Sequence, residues 1–384
     1  MTAAIGMVAD RNMWLKAAVL VQQLVNVNTT LPIVIFNSTA LPEVAPLLLE
    51  ALGAQVRPLE PAMPVPDSFN STFLRQRFGT SDAPVLGRVS PWQKLAVWAQ
   101  TQWSKIVLLD VDMVVLSNID EMGRFPAQTF SPETCNSIDY VRCAEHNETR
   151  TTAGFNAGVM VVGPSESIYE SMVEFSRVHI AEPLRAAPNE TTAREIEVAY
   201  LAYPEQSFLK RFWPSIQFDG AVRGGWDWKW HSGQATESPS GLPTACGRQE
   251  QAWPSLASPG STRTMGTYHR HPPTLDCSPL ERPRPRIHFM SRLYNARPLD
   301  CATCAPSYIA RVKLVHYTCG VKPWAHSMSV WARCAAGQCN RVGSGVGGAS
   351  CIANWTLIWH EARALVCQRA RDMRIHIAGQ DCAA

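Results

Sequence analysis

Between Ala3 and Leu109, short apolar runs alternate with longer amphipathic ones, and this alternation constrains the fold more than any other feature of the chain. Ala3 to Val8 reads as a strand, Trp14 to Val25 as a helix and Leu31 to Phe36 as a second strand. Pro46 to Leu52 reads as a helix closed by Gly53, and Ala54 to Leu59 as a third strand. Ser90-Pro91 offers an N-cap and a first-turn proline to a helix from Trp92 to Gln102. Strands that alternate with helices are joined by crossovers. The pattern therefore predicts an α/β fold, with a mainly parallel sheet flanked by helices. Ile106 to Leu109 is apolar at every position, as befits a strand covered on both faces. It runs into Asp110-Val111-Asp112. Ligands of such sheets bind beyond the carboxyl ends of strands, so the two acids stand where a site is expected. On an extended chain, residues two apart point the same way. Two carboxylates so placed repel each other unless a cation lies between them, and oxygen donors suit a hard divalent ion. Short D-x-D strings are common, however, and a solvated acidic loop is the plain alternative.

A second buried strand is read at Gly158 to Val162, after Phe155-Asn156-Ala157 and before Gly163-Pro164-Ser165, with a capped helix from about Glu166 to Val178. Asn156 and Ala157 at the strand start suit close approach to a ligand; an ordinary tight turn is the alternative. Residues 224 to 286 are rich in Pro, Ser, Gly, Thr and Arg and read as an irregular insertion, with Trp226, Trp228 and Trp230 packing back onto the body. Val312 to Tyr317 reads as the last strand and carries His316 near its end; Lys322 follows in a loop punctuated by Gly320 and Pro323. Histidine can complete a metal site and lysine can neutralise phosphate, though a core histidine and a solvated lysine are the plainer roles of each alone. The run Gly343 to Gly348 has no following Lys-Ser/Thr and reads as a flexible loop.

Composition narrows the function classes. A formal net charge of +3 is too mild to argue for nucleic acid. No apolar run reaches the roughly 18 residues that span a membrane. With 384 residues, 46% of them hydrophobic, the chain can bury one large domain, 1–325, followed by a Cys-rich extension, 326–384. Eight of the 12 Cys fall between Cys301 and Cys382. Six of 13 Asn sit in Asn-x-Ser/Thr sequons, at Asn28, Asn37, Asn70, Asn147, Asn189 and Asn354. About two would be expected by chance. Together these counts predict disulfides and a glycoprotein of the secretory lumen, although turn chemistry also favours such residues. Met1 to Val8 lacks the basic and long apolar regions of a signal peptide. Cys301/Cys304 and Cys334/Cys339 lack the matched spacing of a zinc ribbon, which favours disulfides over zinc.

Three segments taken together, Ser104 to Asp120, Phe155 to Ser165 and His316 to Trp324, resemble glycosyltransferase family 8, the family of glycogenin and related retaining sugar transferases. The resemblance runs from about Ala3 to Trp324, excluding the insertion. It implies a GT-A type nucleotide-diphospho-sugar transferase fold, a UDP-sugar donor, and Mn2+ or Mg2+ held by Asp110, Asp112 and His316. It further implies that Lys94, Val111, Asn156, Ala157, Gly320 and Lys322 line the donor site, and that Glu205 and Gln206 stand at the transferred sugar as the catalytic pair. Tyr294-Asn295 would lie on the acceptor side. The implied reaction moves a hexose or related sugar to a hydroxyl of a glycan or glycoprotein. The cysteine and sequon counts place the expected location in the secretory lumen, with the Golgi as the compartment and the cytoplasm as the alternative, and a homodimer is the oligomer considered. Three departures stand out: Trp14 near the position of the family's uracil-facing aromatic, Cys319 for a glycine, and Glu205 for an aspartate, whose extra methylene moves the carboxylate by about 1.5 Å. Three other readings stay open. They are a self-glucosylating primer, an inactive sugar-nucleotide-binding protein, and a haloacid-dehalogenase phosphatase with Asp110 as nucleophile, in which Met113 stands where Thr is usual.

Overall fold

The computed structural model of the chain describes residues 2–38, 41–64, 91–132, 155–201, 204–213, 288–290, 292–296, 298, 309–317, 322–325, 328, 332, 349–377 and 382. The insertion, Gly320, the glycine run and Ser90 lie outside the described residues.

The expected alternation folds as an open sheet. Strands β1 (Ala3–Ala9), β2 (Ile33–Asn37), β3 (Ala54–Pro58) and β4 (Lys105–Leu109) enclose helices α1 (Trp14–Asn26) and α2 (Val44–Ala51). The order is β3-β2-β1-β4-β7-β6-β8, with β6 (Thr129–Pro132), β7 (Phe155–Val162) and β8 (His288–Phe289) completing the seven strands. The first four are mutually parallel. β7 is antiparallel to both β4 and β6, and β6 pairs in parallel with β8. This is the mainly parallel, helix-flanked α/β sheet that the alternation predicts. The direction of β7 was not expected from alternation, because a strand's local sequence is the same whichever way it enters a sheet.

Both faces are covered, which explains the unbroken apolar runs. Ile5, Met7, Val107 and Leu109 pack with α1 and α2 on one face. Ala4, Val8, Ile106 and Leu108 face the aromatic side, with Trp92, Trp98, Phe175, Phe208 and Trp213. Trp98 comes from a 3-10 helix (Lys94–Ala99) with Trp92 just before it, Phe175 from α3 (Glu166–Ser176), and Phe208 from α6 (Pro204–Phe212) with Trp213 just after it. α3 runs through a π turn into α4 (Glu182–Ala186), and α5 (Glu190–Leu201) precedes α6. The helix expected over Trp92 to Gln102 is thus largely a tighter 3-10 segment. Trp14 is buried in the core at the head of α1, so its ring serves packing.

A separate two-stranded antiparallel ribbon joins β5 (Met113–Val115) to β9 (Leu314–His316). It is tied to α1 by buried Gln23, whose Oε1 accepts from the Val115 N–H at 2.8 Å. The Cys-dense extension contains a helix that cysteine counting did not suggest, α7 (Ala349–Asp372). Its Trp355, Trp359, Ala362 and Val366 share the core of α1. A disulfide, Cys367–Cys382, ties residue 382 back to this helix.

Candidate active site

β4 stops at Leu109, and the Asp110 N–H donates to the Gly158 carbonyl at 2.8 Å, which fixes the acid against β7. Residues 110–112 then bend rather than run extended, and β5 starts at Met113. The ribbon places Met113 opposite His316, and the Tyr317 N–H donates to the Asp112 carbonyl at 3.0 Å. It is this bend, and not strand alternation, that turns both carboxylates toward one imidazole. His316 Nε2 lies 3.1 Å from Asp112 Oδ1 and 3.6 Å from Asp110 Oδ2. One ligand atom from each of the three residues can be chosen so that all lie within 4.8 Å of one another. Two hard carboxylates and one imidazole suit Mn2+ or Mg2+ better than a soft ion, so the residues fit the ion that the resemblance implies.

Two lysines balance the acids. Buried Lys94 pairs with Asp110 and, at 3.0 Å, with Glu205 Oε1. Lys322 pairs with Asp112 and also donates to the Tyr317 carbonyl at 2.6 Å. Burial alone would lower the Lys94 pKa, but Asp110 and Glu205 outweigh it and hold the ammonium charged well above its usual range. Burial opposes ionisation of Asp112, yet His316 and Lys322 reverse that and keep its carboxyl far below the usual carboxylate range. Glu205 goes the other way: burial first, and then the charge of Asp110, push its carboxyl up, with Lys94 opposing. Lys94 is thus shared by Glu205 and by Asp110, the acid that also belongs to the metal cluster.

On the other side of Asp110, buried Gln206 is locked in place. Its Oε1 accepts from the Ala157 N–H at 3.1 Å and from Asn156 Nδ2 at 3.3 Å. Asn156 Oδ1 in turn accepts from the Gly158 N–H at 2.9 Å. The structure thus places Lys94, Asp110, Asp112, Asn156, Ala157, Glu205, Gln206, His316 and Lys322 in one connected set of contacts. The Val111 side chain packs against the rim of the core. Tyr294 and Asn295 part company: the Tyr294 hydroxyl donates to Glu121 Oε1 at 3.0 Å, while Asn295 is buried beside His316. Gly158 went unnoticed in the sequence as more than a strand residue. A Cβ there would sit 2.2 Å from His316 Cε1 and 2.7 Å from its Nδ1, so the imidazole occupies the space a side chain would fill. Also buried, Asp10 caps the entry to α1 by accepting from the Asn12 and Met13 N–H groups at 2.7 and 2.9 Å.

Comparison with known proteins gives the following. Residues 4–191 match the family described as Glycosyl transferase family 8. Galactinol synthase 1 of Solanum lycopersicum is 25% identical over 169 residues, covering 41% of this chain and 49% of that protein. Galactinol synthase 4 of Arabidopsis thaliana is 27% identical over 210 residues, covering 50% and 54%. The match therefore spans about half the length of these relatives. Among solved structures, the galactosyltransferase LgtC in complex with donor and acceptor sugar analogs aligns at a TM-score of 0.40 and 13% identity, over 93% of this chain and 95% of that one. Glu205, Gln206, His316 and Lys322 lie beyond the segment matched to the family, and it is the fold that returns them to Asp110 and Asp112.

Proposed function

We propose that this chain, which carries a glycosyltransferase family 8 domain over residues 4–191, transfers a hexose or related sugar from a UDP-sugar to a hydroxyl of a glycan or protein with retention of configuration. The observation that carries the reading is the convergence of Asp110, Asp112 and His316, with Lys94 and Lys322 at its sides. Asp110, Asp112 and His316 would hold a divalent ion, which would supply Lewis-acid charge to a leaving diphosphate. Lys322, the more exposed of the two lysines, is free to follow the diphosphate and meet the negative charge that grows on it as the anomeric C–O bond breaks. Lys94 holds Asp110 and Glu205 in fixed positions, so neither acid has to reorganise during the reaction. The acceptor hydroxyl oxygen bonds to the anomeric carbon on the face the diphosphate leaves, and the hydroxyl proton passes to that diphosphate. Gln206, anchored through the Ala157 N–H, presents its amide beside the sugar.

The test is a panel of UDP-sugars incubated with Mn2+, followed by UDP release and by sugar transfer to water or to added acceptors. One UDP-sugar is expected to yield UDP, and a chelator to abolish the release. No release from any member would overturn the reading. Phosphate release from a phosphomonoester would favour the phosphatase, and labelling of the protein itself the self-glucosylating primer.

The reading extends to location in the secretory lumen. Sequons at Asn28, Asn189 and Asn354 are exposed among the described residues, and the Cys367–Cys382 disulfide suits an oxidising compartment. Asn28 stands in the left-handed region at φ 55°, in the turn after α1. Protein from its native source is expected to lose mass on endoglycosidase treatment, with the site mapped to one or more of these residues. An unchanged mass together with free thiols at Cys367 and Cys382 would place the chain in the cytoplasm. Among the described residues no helix is long and apolar enough to cross a membrane.

A further inference from the structure

Asn295, from the segment before β9, is almost wholly buried, and its amide lies between His316 and Asn156. Its Oδ1 is 3.0 Å from His316 Nδ1, and its Nδ2 is 3.3 Å from Asn156 Oδ1. Which way round these amides sit follows from two backbone groups that can only donate. The Gly158 N–H reaches the Asn156 side chain at 2.9 Å, so the Asn156 atom there is an acceptor, Oδ1. The Ala157 N–H reaches the Gln206 side chain at 3.1 Å, so the atom there is Oε1, and Asn156 Nδ2 donates to the same oxygen at 3.3 Å. With Asn156 Oδ1 as the acceptor, Asn295 turns its NH2 toward it and its carbonyl oxygen toward His316. That oxygen has no hydrogen to give, so His316 keeps a proton on Nδ1, and Nε2, which faces Asp110 and Asp112, is the nitrogen that gives up its proton when an ion is ligated.

We propose that Asn295 is a positioning residue for the metal centre. It holds the His316 imidazole in the tautomer that can ligate through Nε2, on instruction from the backbone of Ala157 and Gly158. The same line of amides links the histidine to Gln206, so the metal ligand and the residue beside the transferred sugar share one hydrogen-bonded support. Asn295 is not a catalytic residue, since the Asn156 side chain separates it from Gln206 and the His316 imidazole separates it from the ion position. The inference rests on the assignment of Asp110, Asp112 and His316 as metal ligands. Residues that orient a ligating histidine are typically worth about 10- to 100-fold in metal affinity.

The experiment measures the Mn2+ dissociation constant of the full chain by EPR of the free ion. The wild type is compared with Asn295→Leu, Asn295→Asp and His316→Ala, each checked for folding by thermal unfolding. Asn295→Leu removes the acceptor and is expected to weaken Mn2+ binding by about 10- to 100-fold. Asn295→Asp keeps an acceptor for Nδ1–H but turns an oxygen toward Asn156 Oδ1, and it is expected to bind Mn2+ more tightly than Asn295→Leu, a rescue that loss of packing alone would not give. If Asn295→Leu binds as tightly as wild type while His316→Ala does not, the positioning role is overturned and the metal site stands. If His316→Ala binds as tightly as wild type, the metal-site reading itself falls. As a measurement independent of variants that fail to fold, 15N-histidine NMR of the Mg2+-loaded wild type is expected to show the His316 proton on Nδ1. A proton on Nε2 overturns the inference.

Discussion

Asp110→Asn lowers metal-dependent sugar transfer by about 10³-fold, a loss of about 4 kcal/mol at the transition state. The substitution keeps the shape of the side chain and removes one hard anionic donor from the cluster with Asp112 and His316. The fold survives, because buried Lys94 keeps Glu205 as a partner at 3.0 Å and is not left alone in the interior. Glu205 also changes character. Its carboxyl is held up by burial and by the negative charge of Asp110, so removing that charge lets it ionise at lower pH and complete a simple ion pair. Transfer rate at saturating donor, the Mn2+ dissociation constant and thermal unfolding check the three parts separately. A variant that folds, loses nothing in Mn2+ affinity and transfers at the wild-type rate would remove the metal assignment.

Gly158→Ala is expected to cost about 1–3 kcal/mol of stability and to weaken metal binding by at least tenfold. The new methyl group meets His316 Cε1 at 2.2 Å, His316 Nδ1 at 2.7 Å and Asn156 Oδ1 at 2.8 Å. None of these is the loose end of a flexible chain. The imidazole is buried and bonded to Asn295, and the Asn156 oxygen is bonded to the backbone of residue 158 itself. Something must give, and the atoms that give are those that orient the histidine. Gly6→Ala serves as the comparison. Its methyl would meet Ile106 Cγ2 at 2.6 Å in the aromatic side of the core, away from the acids. It should lose comparable stability in denaturant titration and leave Mn2+ affinity unchanged. Equal metal affinity in wild type and Gly158→Ala would show that His316 does not depend on the space above residue 158.

The parts of this molecule that were readable from sequence are those set by local pattern. Apolar runs with two-residue and three-to-four-residue periods mark β1 to β4 and α1, because burial on both faces or on one stripe leaves its trace in neighbouring residues. Asp110, Asp112 and His316 were readable as chemistry, since acids and a histidine at strand ends are costly unless used. What pattern does not encode is direction and pairing. β7 runs antiparallel to its neighbours, and β5 pairs with β9 across about two hundred residues, with nothing in either segment to announce it. α7 was legible in principle: Trp355, Trp359, Ala362, Val366 and Ala370 recur three or four apart and are all buried. The density of cysteines drew attention to redox chemistry and away from that stripe. Tyr294 and Asn295 were read together as an acceptor-side pair, and the sequence did not show that their side chains take different partners, Glu121 for one and His316 for the other.

The ribbon of β5 and β9 has a consequence in the time course of biosynthesis. Asp112 leaves the ribosome roughly two hundred residues before His316, a gap of about 10–40 s at ordinary elongation rates of 5–20 residues per second. During that interval the sheet edge at β4 can already form around Asp110, with Lys94 emerging earlier as its counter-charge. Asp112 waits for Lys322 and for its histidine. The cluster of Asp110, Asp112 and His316 therefore becomes possible only once residue 316 has emerged, and a chain released before that carries the two acids without their histidine. Assembly of the cluster thus reports that β9 has come back to β5 across the intervening chain.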